Sequence, residues 1–282
     1  MKVLEMLFIS MRPHKWSRSI IVFLPLLFSG DPLNWVYLIK IFVAFLIFSF
    51  LTGAVYIIED LTRINIDKTD STKKFMPIAS GELSSNKAEF AVAFVLIGSF
   101  VAAFFLNTWF GLLSILYFLL KLANFLFAEK TPLFSKNVIS GIASLIVITA
   151  GTVAISKPIS NWLIFYIFTT SVLISLCCDI KLLQNKNQNT KDSESFLNQI
   201  INITSSTALA IYCMFCLSTL EGISHNLIFT FPLVLFGTYR LLYLTFTNSE
   251  EKFLEKILLK DWPFLANIFL WVILTSALVK FI

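Results

Sequence analysis

The sequence predicts an all-α, polytopic membrane protein with nine transmembrane helices. Three observations carry that expectation. Of its 282 residues 57% are hydrophobic, with a mean hydropathy of +0.82, against about 45–50% apolar residues in soluble domains. The apolar residues fall into nine runs divided by polar breaks. The basic residues also sort onto alternate connections, as Lys and Arg do on the cytoplasmic side of membrane proteins.

The runs are 17–30, 34–58, 87–106, 108–127, 136–155, 160–180, 198–219, 226–246 and 262–281. Most reach the about 20 residues that a helix needs to cross the hydrocarbon. The first is short and holds Pro25, so it is expected to be tilted or broken, and Asp31-Pro32 ends it. Met1 to Trp16 lacks the apolar core and cleavage site of a signal peptide, so the first span is expected to be retained. With the N-terminus inside, only Lys40, Lys157 and Lys280 of the 22 basic residues fall on the outer side. Adding or removing one span would scramble this segregation. The expectation is one transmembrane domain, 1–282, integral to the cell's inner membrane, with its N-terminus cytoplasmic and its C-terminus outside.

The longer polar connections, 59–86, 181–197 and 247–261, then all face the cytoplasm, and so does any chemistry. The 181–197 stretch reads as a solvated loop without an active role. The net charge of +5 is foremost a topology signal, and nucleic acid is not an expected partner. Cys177, Cys178, Cys213 and Cys216 lie inside apolar runs and read as small buried residues. A transporter would need polar residues through the full membrane depth, and neither these nor an internal repeat is evident.

Chemistry concentrates where the second run ends, in Glu59-Asp60-Leu-Thr-Arg63-Ile-Asn65-Ile-Asp67-Lys68-Thr-Asp70-Ser-Thr-Lys73-Lys74. Ionisable groups packed at the mouth of a membrane helix are costly unless they bind something. If the helix continues, Asp60 and Asp67 lie two turns apart on one face, with Glu59 beside them. Such hard oxygen ligands suit Mg²⁺, which takes one or two carboxylates and completes its shell with substrate phosphate and water. Lys73 and Lys74 would answer the remaining phosphate charge. A local alternative stays open, because Arg63 stands four residues from both Glu59 and Asp67 and could neutralise them as helical ion pairs.

The segment from Tyr56 through Glu59, Asp60, Arg63, Asp67, Ser71, Lys73, Lys74 and Met76-Pro77-Ile78-Ala79-Ser80-Gly81 resembles the first Asp-rich motif of the UbiA superfamily of intramembrane prenyltransferases. It is most similar to the branch that makes decaprenylphosphoryl-phosphoribose. Arg12-Pro13 with Trp16 and Arg18 resembles that branch's N-terminal motif, Gly151 to Trp162 resembles a later one, and Arg240 and Asp261 fall where a late-helix Arg and a loop Asp occur. The resemblance implies a nine-helix bundle around a cytoplasm-facing polar cavity and an Mg²⁺-dependent transferase. It would move a phosphoribosyl or related group from a diphosphate donor to polyprenyl phosphate. The implied metal ligands are Asp60, Asp67 and Glu59; Asp60, Asp67 and Arg63 form the catalytic set. Lys73, Lys74, Tyr56, Arg12, Lys15, Arg18 and Arg240 would bind substrate. The lipid and the donor are the expected partners, with self-association in the membrane left open.

Within this pattern Glu59 stands for an Asn, Arg63 for a second Asp and Met76 for an Arg. No acidic residue occurs between Glu129 and Asp179, where family members carry a second polar set, although Asp179 and Lys181 keep charge there. Arg63 either takes over the work of a cation by gripping phosphate or only pairs the carboxylates. Two alternatives therefore accompany the leading reading: prenyl transfer from a prenyl diphosphate to a small acceptor, and a non-catalytic membrane subunit that keeps the fold.

Overall fold

The computed structural model describes residues 2–68, 74–127, 133–184, 191–218, 225–247 and 253–280, and all their regular structure is helical. In chain order the α-helices are α1 (Lys2–Ser10), α2 (Leu24–Leu27), α3 (Trp35–Thr62), α4 (Ile64–Asp67), α5 (Ser85–Leu106) and α6 (Thr108–Phe127). They continue as α7 (Leu133–Ile155), α8 (Asn161–Gln184), α9 (Lys191–Leu217), α10 (Phe231–Phe246), α11 (Leu254–Lys260) and α12 (Trp262–Lys280). Two 3-10 helices, Pro13–Phe23 and His225–Thr230, complete the set.

Among the described residues eight helices are long and apolar enough to cross a membrane: α3, α5, α6, α7, α8, α9, α10 and α12. The first predicted span is not one of them. Residues 17–30 lie largely in the 3-10 helix Pro13–Phe23 and the four-residue α2. Pro13 and Pro25 each lack an amide donor, and Ile20, Ile21 and Val22 crowd an α-helical turn, so this stretch does not propagate as a long α-helix. The expected loop 181–197 also differs. Helix α8 runs on to Gln184 and α9 already begins at Lys191, so helix takes up most of that stretch.

The chain divides into two compact units. The first comprises Met1–Leu24, Trp35–Thr131 and Ile146–Ser156; the second comprises Pro25–Asn34, Pro132–Leu145 and Lys157–Ile282. In the first unit α3 is the central helix. Ile41, Ala44, Phe48, Leu51, Ala54 and Ile57 recur every three or four residues and are at most 1% exposed, the stripe by which a helix faces its neighbours. The N-terminal 3-10 helix, α5 and α6 pack around α3. Helices α5 and α6 keep long exposed apolar faces, with Phe90, Phe94, Phe105, Trp109 and Leu116 outward, as lipid-facing helices do.

Two local features place the N-terminal segment on α3. A Cβ at Gly53 would stand 2.6 Å from Met11 Cε and 2.9 Å from Met11 Cβ, so only glycine lets Met11 approach. Trp16 Nε1 then donates to the Met11 carbonyl at 3.1 Å. Met11 joins Ala54, Ile57, Ile78, Leu83, Ala88 and Val92 in one apolar cluster. Ile78 and Leu83 come from the turn around Gly81, whose φ of 81° favours glycine.

In the second unit α8 and α9 pack along their length around Val172, Leu173, Leu176, Cys177, Ile180, Leu197 and Ile201, joined by Leu241 and Leu254. Gly141 of α7 lies against Phe168 and Val172, where a Cβ would meet the Phe168 ring at 2.7 Å. At the other end of α8, Lys181, 2% exposed, donates to the Thr245 and Thr247 carbonyls at 3.3 and 2.5 Å and so caps the C-terminus of α10.

Candidate functional site

The acidic motif begins on the last turn of α3. That helix has 28 residues, about 42 Å at 1.5 Å per residue against a hydrocarbon layer of about 30 Å. Its excess length carries Glu59 and Asp60 to the membrane mouth. The helix does not run straight on to Asp67. Thr62 Oγ1 donates back to the Ile58 and Glu59 carbonyls at 2.9 and 3.0 Å, a back-bond that bends helices. Arg63 then leaves helical geometry (φ −107°, ψ 15°) before α4 restarts. Asp60 and Asp67 are nonetheless both buried, at 3% exposure each.

The cation at Asp60 is Arg12, which comes from 48 residues earlier in the chain and not from the motif. Its Nη2 donates to Asp60 Oδ1 in a short, buried hydrogen bond, and its Nη1 lies 3.6 Å from Glu59 Oε2. The guanidinium carbon stands 5.0 Å from the centre of the Tyr56 ring, and Lys15 Nζ lies 4.9 Å from the same ring, both within cation–π range. Arg12 is 7% exposed, and its Nε finds no hydrogen-bond partner among the described residues. It also holds φ 49° and ψ 66° directly before Pro13. A left-handed non-glycine residue costs on the order of 1–3 kcal/mol and persists where its surroundings over-determine it. Here Met11 seated on Gly53 and the double grip on Glu59 and Asp60 do so.

The remaining expected site residues divide. Arg63 places its guanidinium 5.2 Å from the Phe125 ring of α6. Lys74 is exposed, with its ammonium 4.9 Å from the exposed Phe75 ring. Lys73 and Asp70 lie outside the described residues. Arg18 is half-buried on the N-terminal 3-10 helix. Arg240 belongs to the second unit, where its Nε and Nη2 donate to Asp261 Oδ1 and Oδ2 at 3.0 and 2.7 Å. Asp261 also accepts the Phe264 amide at 2.9 Å and so caps α12. The Arg240 fork, helped by this amide, holds the Asp261 carboxyl below its usual range.

Sequence reasoning did not single out Thr52, Tyr117 or Asn137. Thr52 and Tyr117 share a buried hydrogen bond of 2.8 Å between α3 and α6, and Lys121 Nζ stands 5.6 Å from the Tyr117 ring. Asn137 Nδ2 donates to the buried Asp179 at 3.0 Å in the second unit. The four-residue spacing of Thr52, Tyr56 and Asp60 was the available signal for the first of these.

Among the described residues no three His, Cys, Asp or Glu side chains converge as a metal cage. What the first unit offers is two buried aspartates with a half-buried glutamate beside one of them. That hard-oxygen set fits Mg²⁺, which needs few protein ligands when a phosphate supplies the rest.

Among the described residues the fold is all-helical, with apolar helices long enough to cross a membrane and an acidic motif at the end of the central one. A family model described as the UbiA prenyltransferase family matches residues 19–273, and the chain belongs to that family. It is 32% identical over 158 residues to a decaprenyl-phosphate phosphoribosyltransferase of Mycobacterium tuberculosis, covering 54% of this chain and 52% of that protein. It is 29% identical over 166 residues to an uncharacterized protein, y4nM, of Sinorhizobium fredii, covering 59% of this chain and 32% of that one. The matched region thus spans about half or less of these curated relatives. Among solved structures, a UbiA homolog from Archaeoglobus fulgidus bound to GPP and Mg²⁺ superposes with a TM-score of 0.70 at 14% identity, covering 98% of this chain and 99% of that one. The same homolog bound to DMAPP and Mg²⁺ gives 0.68 over 96% and 98%. At these identities the likeness establishes the fold.

Proposed function

We propose that this protein transfers a phosphoribosyl or closely related group from a diphosphate donor to polyprenyl phosphate, with Mg²⁺ at the acidic motif. The observation that carries the reading is two buried aspartates, Asp60 at the end of the central helix and Asp67 on the short α4 that follows it, in a UbiA-family fold. The phosphoribosyltransferase name of the Mycobacterium relative supports the donor class. The acceptor's phosphate oxygen would form a bond to the anomeric carbon as the bond from that carbon to the donor diphosphate breaks, releasing diphosphate.

Asp60 and Asp67 would hold the metal, which when bound neutralises charge building on the leaving diphosphate; Glu59, expected as a third ligand and lying 3.6 Å from Arg12 Nη1, does not complete a three-carboxylate cage with them. Arg12 orients Asp60 through its buried hydrogen bond, and its buried Nε is left to meet a phosphate oxygen. Tyr56 forms a flat wall under Arg12 and Lys15. Lys73, Lys74 and Arg63 would add positive charge around the donor. Arg240, already engaged by Asp261, would serve substrate only if that pair opened.

The chain would form one inner-membrane domain with the motif facing the cytoplasm. The 3-10 helix Pro13–Phe23 would form most of a ninth crossing: its 11 residues rise about 22 Å at about 2.0 Å per residue.

The test is to incubate membranes containing the protein with labelled phosphoribosyl diphosphate and polyprenyl phosphate, with and without EDTA. Label should enter the lipid fraction only when Mg²⁺ is present. The GPP- and DMAPP-bound homolog favours prenyl transfer as a second reading, and incorporation from labelled prenyl diphosphate instead would select it. No incorporation from either donor, with biological activity intact in Asp60→Ala, would leave a non-catalytic subunit.

A further inference from the structure

We propose that α1 lies along the membrane surface on the side of the acidic motif, with Val3, Leu4 and Phe8 set among lipid acyl chains. The proposal stands apart from the transferase reading, because it needs only that α3 crosses the bilayer.

Helix α1 has nine residues, about 14 Å at 1.5 Å per residue, less than half of the about 30 Å hydrocarbon layer. It is too short to cross. Its side chains nonetheless suit hydrocarbon, since of residues 3–10 only Glu5 and Ser10 are polar. One side of the helix is used by the protein: Met6 and Leu7 pack against the cluster that holds Ala54 and Ile57 of α3 and Ala88 and Val92 of α5, and Ser10 is buried. A second side is bare and apolar. Leu4 is 74% and Phe8 53% exposed, with Val3 exposed beside them, and Leu4 and Phe8, four residues apart, stand one above the other. Glu5 and Ile9, again four apart, share a third side, on which Glu5 is exposed. A helix this short has little stability of its own, and one with two apolar sides holds when both are buried.

The position of α1 names what covers the bare side. Ile57 stands two residues before Glu59, so Met6 and Leu7 hold α1 level with the end of α3, where that helix leaves the hydrocarbon. Phe8 continues the lipid-facing surface from there. Its ring meets Trp16 edge-on at 5.5 Å between centroids, and Trp16 meets Phe50 edge-on at 5.9 Å. Phe50 is exposed near the middle of the span Trp35–Thr62. An aromatic strip thus runs from the hydrocarbon up to α1, with Trp16 at the level where tryptophans collect. A lipid interface takes such a helix with its apolar side about 5–10 Å into the boundary between headgroups and acyl chains, and leaves the Glu5 side to water.

The experiment uses the full chain in phosphatidylcholine nanodiscs, with the photo-crosslinker p-benzoylphenylalanine placed singly at Leu4, Glu5, Phe8 or Phe94, the last exposed on the outward face of α5. After irradiation, intact-mass analysis should find one added lipid at positions 4 and 8, with a yield within about threefold of that at 94 and at least about threefold above that at 5. Leu4→Glu should lower the lipid adduct at position 8 by about tenfold, and Leu4→Met should leave it unchanged. Thermal unfolding of each variant guards against misfolding, and Leu4, which touches little of the protein, keeps the test open if the change at Phe8 disturbs Trp16. Adducts joining two copies of the chain would assign the bare side to self-association, and yields at 4 and 8 no higher than at 5 would leave it in water. Either result overturns the proposal, whereas a failure of Mg²⁺-dependent transfer bears only on the transferase reading.

Discussion

Two of the arginine–carboxylate assemblies among the described residues look alike in sequence and differ in build. Arg240 and Asp261 form a complete fork in the second unit, with two hydrogen bonds of 3.0 and 2.7 Å, and Asp261 spends its remaining capacity on the first turn of α12. The Arg240 side chain is 28% exposed, so water shares the charge. Arg12 in the first unit is buried, held in a left-handed conformation, spread over Glu59 and Asp60, and left with a buried Nε lacking a partner among the described residues. The complete pair fastens two helices. The strained, incomplete pair is what a site looks like when its last acceptor arrives with the substrate.

The largest effect that could break this contrast is on activity. Asp60→Asn should lower Mg²⁺-dependent label transfer by about two orders of magnitude or more, whereas Asp261→Asn, which can still cap α12, should leave it nearly unchanged; the labelled-donor assay reads both. Next comes stability. Asp60→Ala strands the buried Arg12 guanidinium, and about 3–5 kcal/mol should be lost, read as a lower unfolding temperature in detergent. Asp261→Ala removes mainly a helix cap, and about 1 kcal/mol should go.

Gly53→Ala sharpens the comparison by displacing Arg12 without touching a charge. The added Cβ would overlap Met11, so about 1–3 kcal/mol should be lost. Gly53→Ala combined with Met11→Ala should recover part of the stability and of the transfer activity.

The smallest effect is on pH. The folded-state pKa of Asp261 is depressed, chiefly by its hydrogen bonds from Arg240. Its contribution to stability is therefore full above the unfolded value of about 4 and fades as pH falls below it. Unfolding temperatures of wild type and Asp261→Asn, compared between neutral pH and the region below about 4, should converge in acid.

The sequence was most informative where a pattern is local. Apolar runs placed the eight long helices found among the described residues, because their periodicity and length are fixed by the solvent they must cross. The acidic motif was legible from residue type and position at the end of a run. What was not legible was the partner of Asp60. Local spacing paired Arg63 with Glu59 and Asp67 and offered no cation for Asp60, to which the structure brings Arg12 across 48 positions. The first predicted span shows the same limit, since hydropathy does not distinguish an α-helix from the 3-10 helix found over Pro13–Phe23.

By itself the sequence determined that this is a helical membrane protein with a carboxylate-rich motif where its first long helix ends, because hydrophobic run lengths and charge placement are properties of neighbouring residues. Only tertiary structure decided which cation answers Asp60, because that depends on Met11 docking against Gly53, which joins residues far apart in the chain.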